Sequence, residues 1–197
     1  FLYLHVTRGE ADRNYLYDGR LKPNVFAFVQ PGEEKAEKLS REGVAMRSHP
    51  DLRWKRRDIK TSNLLGQVMA KNSADRADAY EALMIDDEGQ VTEGGATSFF
   101  MIKYDVVYVR PATNEILNGV TRRAMLKIAE QEKLRLIEDR YTLQQVFDAD
   151  EAFITGASTH IQPVVEVDGR KIGNGKPGPV TLRLQKLYLK LCDAGVI

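Results

Sequence analysis

The sequence is poor in the residues that build disulfides and metal centres. Its 197 residues include one cysteine, Cys192, and three widely spaced histidines, His5, His49 and His160. A single cysteine excludes an intramolecular disulfide and leaves too few thiols for a cysteine-based metal site. We therefore expect no metal, and this cysteine usage fits a cytoplasmic protein.

Excess charge and long apolar runs are also missing. The chain has 29 basic and 28 acidic residues, a net charge of +1, which provides no overall attraction to nucleic acid or anionic membranes. No apolar stretch approaches the roughly 18 residues that cross a bilayer. Residues 1–9 lack the features of a signal peptide and an initiator methionine, and their pattern is typical of a strand already under way. We expect a further N-terminal segment before Phe1.

The residues that are present predict an α+β fold. Hydrophobic residues make up 43% of the chain, as in an ordinary globular enzyme. Strand patterns meeting at Tyr104-Asp105 and at Asp168-Gly169 predict two hairpins. Helical spacing predicts helices over residues 63–73, 120–132, 143–147 and 181–191. A break at Pro31-Gly32 suggests residues 1–32 as the remainder of a small domain, 33–42 as a charged connector and 43–197 as a large domain.

Lys60 ends the basic segment Arg53-Trp54-Lys55-Arg56-Arg57-Asp58-Ile59-Lys60. One interpretation is a solvated surface strand that enters a helix capped by Thr61, Ser62 or Asn63. The other is a nucleophilic lysine in a pocket, because burial and neighbouring cations lower the pKa of an amine below its free value of about 10.4.

Glu93 lies in the segment Val91-Thr92-Glu93-Gly94-Gly95, before an apolar strand. It is either a loop carboxylate at a bend or an acid held against a heterocycle, with the two glycines allowing close backbone approach.

Two further segments suggest anion binding. Leu117-Asn118-Gly119-Val120-Thr121 begins a predicted helix, whose free N–H groups and dipole favour an anion. Thr155-Gly156-Ala157-Ser158-Thr159 is a small, hydroxyl-rich stretch after a buried strand. Taken singly, each is equally compatible with an ordinary capped helix or a loop.

Together the four segments resemble, in order and content, those of the fold type IV enzymes that use pyridoxal 5'-phosphate (PLP). The resemblance covers nearly the whole chain and is strongest to the D-amino-acid aminotransferases. It rests on Arg53-Trp54, Asp58-Ile59-Lys60, Asn63-Leu64-Leu65-Gly66, Val91-Thr92-Glu93-Gly94, Gly119-Val120-Thr121-Arg122, Pro163-Val164 and Asp168-Gly169.

The resemblance implies a pseudo-barrel large domain, a homodimer and a role for each segment. Lys60 would be the Schiff-base lysine and Glu93 the partner of the cofactor's ring nitrogen. The phosphate would be held by two groups of residues, Leu117, Gly119, Val120 and Thr121, and Gly156, Ala157 and Ser158. The implied activity is transfer of an amino group between a D-amino acid and a 2-oxo acid of the pyruvate or 2-oxoglutarate type.

Two positions depart from the resembled pattern. Where the D-amino-acid enzymes carry an Arg-x-His pair for the substrate carboxylate, this chain has Arg13-Asn14-Tyr15, which the resemblance would place in the pocket of the neighbouring subunit of a dimer. Ala157 stands where relatives carry a phosphate-binding threonine. The first departure bears on the substrate and the second on the affinity for the cofactor.

Other functions stay open at this stage. Within the resembled class these are aminodeoxychorismate lyase, which has a similar Arg-x-Tyr pair, branched-chain aminotransferase, and a PLP-fold protein that no longer catalyses. Outside this class, the basic run 53–57 with Trp54 could indicate a nucleic-acid-binding module. The sequence disfavours this alternative because it has no basic sheet pattern interleaved with aromatic residues.

Overall fold

The computed structural model describes residues 2–16, 19–31 and 36–195. The chain divides into two compact units, Phe1–Glu34 and Lys35–Ile197. Phe1, where the first predicted strand starts, lies outside the described residues. So do residues 17–18 of the predicted small domain, and residues 32–35, where the predicted connector begins.

The first unit contains an antiparallel strand pair, β1 (Leu2–Val6) and β2 (Val25–Val29), with Leu4 opposite Ala27. The long connection between them is closed at its base, where Thr7 N donates to Asn24 O at 2.9 Å. Gly9 has a φ of +129°, and a Cβ added there would lie 2.5 Å from the Lys22 carbonyl oxygen. Glycine is therefore required at this crossing.

The second unit is built on a curled, mixed sheet. Its strands are β3 (Val44–Pro50), β4 (Glu81–Ile85), β5 (Val91–Gly94), β6 (Ser98–Lys103), β7 (Val106–Val109), β8 (Arg135–Glu138), β9 (Glu151–Gly156), β10 (His160–Val167) and β11 (Arg170–Lys171). Across residues 36–195 the order is β5-β4-β3-β10-β9-β6-β7-β8, with β11 paired to β10. The helices are α1 (Ala36–Glu42), α2 (Leu65–Asp75), α3 (Val120–Gln131), α4 (Leu143–Phe147) and α5 (Pro179–Asp193).

Both predicted hairpins are confirmed. β6 pairs antiparallel with β7 through Tyr104 and Asp105, whose φ angles are +50° and +60°. β10 pairs antiparallel with β11 through Asp168 and Gly169, at +51° and +76°. Two consecutive residues with positive φ form the turn whose twist matches that of the flanking strands.

The sequence predicts hairpins rather than a strict βαβ alternation, and the sheet confirms this while including two βαβ units. β3 and β4 are parallel and are joined through α2, and β7 and β8 are parallel and are joined through α3. Residues 36–42, within the segment interpreted as a connector, form α1. The α+β class is confirmed, with parallel crossovers at two places.

The core lies on both faces of the sheet. Along β6, Phe99 and Met101 join one apolar cluster with Leu83 of β4, whereas Phe100 and Ile102 join a second cluster against α3 and α5. A strand buried on both faces is a continuous apolar run because successive side chains point to opposite sides. No described helix is long and apolar enough to span a membrane.

Candidate active site

Glu93 occupies strand β5, and its carboxylate is almost completely buried. This corrects the expectation of a loop carboxylate at a bend. Its Oε1 accepts a hydrogen bond from Arg53 Nη1 at 2.6 Å, and Leu117 N lies 3.2 Å from both carboxylate oxygens. Burial raises the pKa of Glu93 to about 7, although the Arg53 guanidinium and the Leu117 N–H oppose the rise.

The Arg53 side chain is buried and contacts two carboxylates. Its Nε donates to Asp51 Oδ1 at 2.9 Å and its Nη2 to Asp51 Oδ2 at 2.8 Å, while Nη1 reaches Glu93. The Arg53 side chain is 7% exposed. The interpretation of residues 53–57 as a solvated basic face is therefore wrong for Arg53, because its guanidinium has two buried acids to satisfy.

Asp51, directly after β3, contacts several side chains through its carboxylate oxygens. Thr92, which precedes Glu93 on β5, donates its hydroxyl to Asp51 Oδ2 at 2.7 Å, and Arg57 Nε lies 3.1 Å from the same oxygen. Burial alone would raise the pKa of Asp51, but the hydrogen bonds and charge of Arg53, with smaller contributions from Thr92 and Arg57, lower it. Asp51 thus ties the loop after β3 to strand β5.

Lys60 lies exposed in the loop between β3 and α2. The buried lysine expected from the sequence is therefore not seen within the described residues. Nor do Thr61, Ser62 or Asn63 cap the helix: α2 begins at Leu65 after Leu64, with no side-chain cap. Thr61 instead accepts a hydrogen bond from Asn63 N at 3.3 Å, a short local turn that delays the helix.

The loop that carries Lys60 is fastened to the loop that carries Leu117. Asn114 Nδ2 donates to Lys55 O at 2.9 Å, and Arg57 N donates to Asn114 O at 2.9 Å. Gly66, at the start of α2, packs against Arg53, since an added Cβ would lie 2.9 Å from Arg53 Cγ. Along the chain, Lys60 therefore lies between Arg57, which contacts Asp51, and Gly66, which packs against Arg53.

A helix begins at the segment that the sequence suggested for anion binding. α3 begins at Val120 after Gly119, which provides no side-chain cap, so the first-turn N–H groups receive no side-chain acceptor from it. Gly119 faces Ser98 at the start of β6, because an added Cβ would lie 3.6 Å from Ser98 Oγ. By contrast, the start of α5 is filled by the Glu151 carboxylate, which accepts from Val180 N and Thr181 N. An acceptor of the same kind is what the start of α3 could hold.

The fourth predicted segment begins at the end of β9. Gly156 is the last residue of that strand, and Ala157 and Ser158 form an exposed turn. An added Cβ at Gly156 would lie 2.5 Å from Thr159 Oγ1 and 3.4 Å from Thr97 Cγ2.

The turns after β5 and β9 therefore meet, close to the start of α3. The buried hydroxyls of Thr155 and Thr159 lack hydrogen-bond partners among the described residues. Each hydroxyl could therefore form a hydrogen bond with a bound polar group.

Arg13 and Tyr15 lie in the first unit. Arg13 Nη2 donates to the Tyr15 hydroxyl at 2.8 Å, and both side chains are exposed. A cavity of about 680 Å³ beside them is lined by Arg8, Gly9, Ala11, Asp12, Arg13, Asn14, Leu16 and Leu21. No group of three or more metal-binding side chains is found in the described ranges.

Two contributors were missed from sequence: Asp51, and Arg53 as a buried partner of Glu93. The available signal was the alternation Asp51-x-Arg53 directly after a strand, in which a carboxylate precedes the basic run by two residues. Such spacing allows a fork-to-carboxylate contact. The composition gives only the number of charged residues and does not distinguish buried from exposed ones.

Residues 2–167 match the family model described as amino-transferase class IV. The chain is 43% identical to a D-alanine aminotransferase of Bacillus licheniformis over 184 residues, which cover 93% of this chain and 64% of that protein. It is 37% identical to the D-alanine aminotransferase of Staphylococcus haemolyticus over 194 residues, covering 98% of this chain and 68% of that protein. The chain thus spans about two thirds of the length of these relatives.

Solved structures of branched-chain amino acid aminotransferases have the same fold. The Escherichia coli enzyme superposes with a TM-score of 0.84 at 26% identity, covering 96% of this chain and 64% of that one. A second such enzyme, from T.th., solved with pyridoxamine 5'-phosphate, superposes with a TM-score of 0.75 at 32% identity, covering 84% of this chain and 55% of that one.

Proposed function

This chain belongs to the amino-transferase class IV family, and from that membership we propose that it serves a PLP-dependent transfer of an amino group between a D-amino acid and a 2-oxo acid of the pyruvate or 2-oxoglutarate type. The D-amino-acid choice is supported by the two D-alanine aminotransferases at 43% and 37% identity. The observation that carries the chemistry is the buried Glu93 carboxylate, held between Arg53 and the Leu117 N–H. We further propose a cytoplasmic homodimer that binds neither nucleic acid nor membranes.

The residues present fit PLP. Glu93 would hold the ring nitrogen, since a buried carboxylate attracts a protonated pyridine. The start of α3 at Gly119, Val120 and Thr121, together with Leu117 and the turn 156–158, would hold the phosphate. The uncapped helix start supports this use, as do the Thr155 and Thr159 hydroxyls, which lack partners within the described ranges. The amine of Lys60 would hold the aldehyde carbon.

When bound, PLP supplies the electron sink that makes the substrate Cα proton removable. Lys60 Nζ would accept the proton from the substrate Cα as a general base and would deliver it to the cofactor carbon C4′ as a general acid. Glu93 stays ionised and thereby keeps the ring nitrogen protonated. In the proposed dimer, Arg13 would offer a guanidinium fork to the substrate carboxylate in the pocket of the neighbouring subunit. Tyr15 would add a hydroxyl whose hydrogen is free to donate, because its oxygen accepts from Arg13.

Lys60→Ala tests the proposed function directly. We expect wild-type protein mixed with PLP to develop a visible absorbance band and, after borohydride reduction, to carry the cofactor mass on the peptide with Lys60. Lys60→Ala should lose both signals. Lys55→Ala, a lysine exposed in the same loop, should keep both. A reduced adduct on another lysine, or none on wild type, would refute the assignment.

The amino donor is identified by product formation. D-alanine with 2-oxoglutarate should yield pyruvate and glutamate in the presence of the wild-type chain. A branched-chain activity is the second candidate, favoured by the structural match to those enzymes, and it would appear as turnover of L-leucine but not of D-alanine. Pyruvate released from aminodeoxychorismate alone would identify a lyase. A bound cofactor without any of these turnovers would identify a protein that no longer catalyses.

A further inference from the structure

Arg53 links two buried carboxylates that lie on different segments. Asp51 follows β3 and Glu93 belongs to β5, and the fork of Arg53 contacts both, at 2.8 and 2.6 Å through separate nitrogens. The side chains of Asp51 and Glu93 are 0% and 5% exposed. Because guanidinium N–H groups point in fixed directions, satisfying two acids at once fixes the orientation of each carboxylate plane.

The position of Arg53 is itself determined on several sides. Asp51 accepts from the Arg53 backbone N–H as well as from Nε and Nη2. Gly66 closes over the Arg53 Cγ and leaves no room for a Cβ. Thr92 anchors Asp51 to the strand of Glu93. These contacts hold the arginine in an arrangement in which Nη1 contacts Glu93.

The other titratable and charged groups near Glu93 do not replace Arg53. They lie on the segments packed against β5: Asp51 and Arg57 in the loop after β3, Glu81 on β4, Arg110 and Glu115 in the loop after β7, and Tyr141 in the segment before α4. Arg57 pairs with Asp51, Glu81 pairs with Lys71, and Arg110 pairs with Asp86 and Glu115. Among the described residues, Arg53 is the cation in ion-pair contact with Glu93.

We propose that Arg53, anchored by Asp51, is a positioning residue that favours the ionised form of Glu93 and orients its carboxylate toward the ring nitrogen of the cofactor. The role toward the ring nitrogen rests on the proposed function, whereas the coupling between Arg53 and Glu93 can be measured in the cofactor-free chain. Arg53 acts through Glu93 and does not itself touch the reacting atoms. Both the charge and the forked shape of arginine are needed for this role.

The test is the titration of Glu93 in the cofactor-free full chain by carboxyl ¹³C NMR, with Glu93→Gln identifying its signal. In Arg53→Gln the midpoint of Glu93 should rise by about 1 to 3 pH units, because a contacting opposite charge is lost. Arg56→Gln is the matched control, since Arg56 lies in the same loop and pairs with Asp58 at the surface. Its Glu93 midpoint should equal that of wild type. An unchanged midpoint in Arg53→Gln would overturn the proposal.

Arg53→Lys separates the effect of the forked shape from the effect of the charge. It also keeps a cation at this position, which guards the test against misfolding of Arg53→Gln. A single ammonium cannot reproduce the three contacts to both carboxylates, so the Glu93 midpoint should lie between those of wild type and Arg53→Gln. A wild-type midpoint in Arg53→Lys would show that charge alone suffices and would overturn the positioning role.

Asp51→Asn tests the anchor through the sign of its effect. Removing a negative charge near Glu93 would by itself lower the Glu93 midpoint, whereas releasing Arg53 raises it. We expect a rise. A fall would show that Arg53 keeps its place without Asp51 and would overturn the anchoring role.

Uptake of PLP by wild type, followed by absorbance, keeps this inference separate from the proposed function. If PLP binds and Arg53→Gln leaves the Glu93 titration unchanged, the positioning role fails and the proposed function stands. If wild type takes up no PLP while the Arg53 variants shift the titration, the role toward the ring nitrogen fails with the proposed function and the coupling between Arg53 and Glu93 stands.

Discussion

At the residue scale, Glu93 combines deep burial with a direct ion pair, and burial prevails in the free protein. The carboxyl has a pKa of about 7 against an ordinary value of 4.5. A protonated ring nitrogen beside it would favour the ionised carboxylate. The site therefore suits a cationic heterocycle as the partner of Glu93. The Arg53 guanidinium lowers the pKa of Glu93 but does not cancel the rise, because burial is the larger effect.

The Glu93 carboxyl should make stability depend on pH in a defined window. Its folded-state pKa is raised, so the folded chain keeps a proton between about pH 4.5 and 7 that the unfolded chain releases, and stability falls as pH rises through this range. The loss should reach about 3 kcal/mol above pH 7. Asp51 has a lowered pKa, and its contribution is lost only as the pH falls below its ordinary value of 3.8.

Urea unfolding of wild type and Glu93→Gln at pH 5 and pH 8 measures this effect, since contributions common to both proteins cancel in the difference. The glutamine variant should lose less free energy of unfolding between the two pH values. Equal losses in the two proteins would contradict the raised pKa of Glu93.

At the element scale, Arg110 joins strand β7 to the segments around Glu93. It is fully buried directly after β7, its Nη1 donates to Val91 O of β5 at 2.9 Å, and its Nη2 pairs with Asp86 and Glu115. Glu115 lies two residues before Leu117, whose N–H contacts Glu93. The two segments that hold Glu93, β5 and the loop after β7, are thus fastened to one guanidinium.

Replacing Arg110 with glutamine should destabilise the chain by about 3 to 5 kcal/mol, because it strands two carboxylates and a buried carbonyl. Arg140→Gln is the control, since Arg140 is largely exposed and pairs with Glu88 and Glu115 at the surface. It should change stability by less than about 1 kcal/mol. Denaturant unfolding of the two variants gives the comparison, and equal losses would show that Arg110 contributes no more than a surface ion pair.

At the scale of the whole molecule, the two units differ in how their strands are supported. In the second unit, β6, β9 and β10 are buried between apolar clusters. In the first, Leu2, Leu4, Val25 and Val29 of β1 and β2 are each at least 60% exposed. A two-stranded sheet without a covering layer is marginally stable in water.

Hydrogen exchange of the full chain should reveal this contrast. Amides of β1 and β2 should exchange through low-energy local opening, while those of β6 and β9 should exchange only at the free energy of global unfolding. Mass spectrometry with peptide resolution would measure both classes in one experiment. Protection of β1 equal to that of β6 would show that the first strand pair is stabilised as strongly as the core.

The sequence by itself determined the features that depend on neighbouring residues. The turns at Tyr104-Asp105 and Asp168-Gly169, the start of α3 after Gly119 and the helix over 143–147 follow from local backbone preferences and periodicity. Resemblance supplied the PLP class, because signature residues keep their order along the chain. β5 escaped prediction since Val91–Gly94 has neither the length nor the alternation of a typical strand.

Only the tertiary structure decided which distant groups meet. Arg53 and Glu93 are 40 positions apart and Leu117 lies 24 positions beyond Glu93, yet the three converge. The order of the strands and the parallel crossovers through α2 and α3 bring them together. Whether an arginine is solvated or buried depends on the acids that the sheet places beside it. Local sequence patterns do not show which distant acids these are. The same reason explains why the exposed setting of Lys60 could not be predicted from its motif.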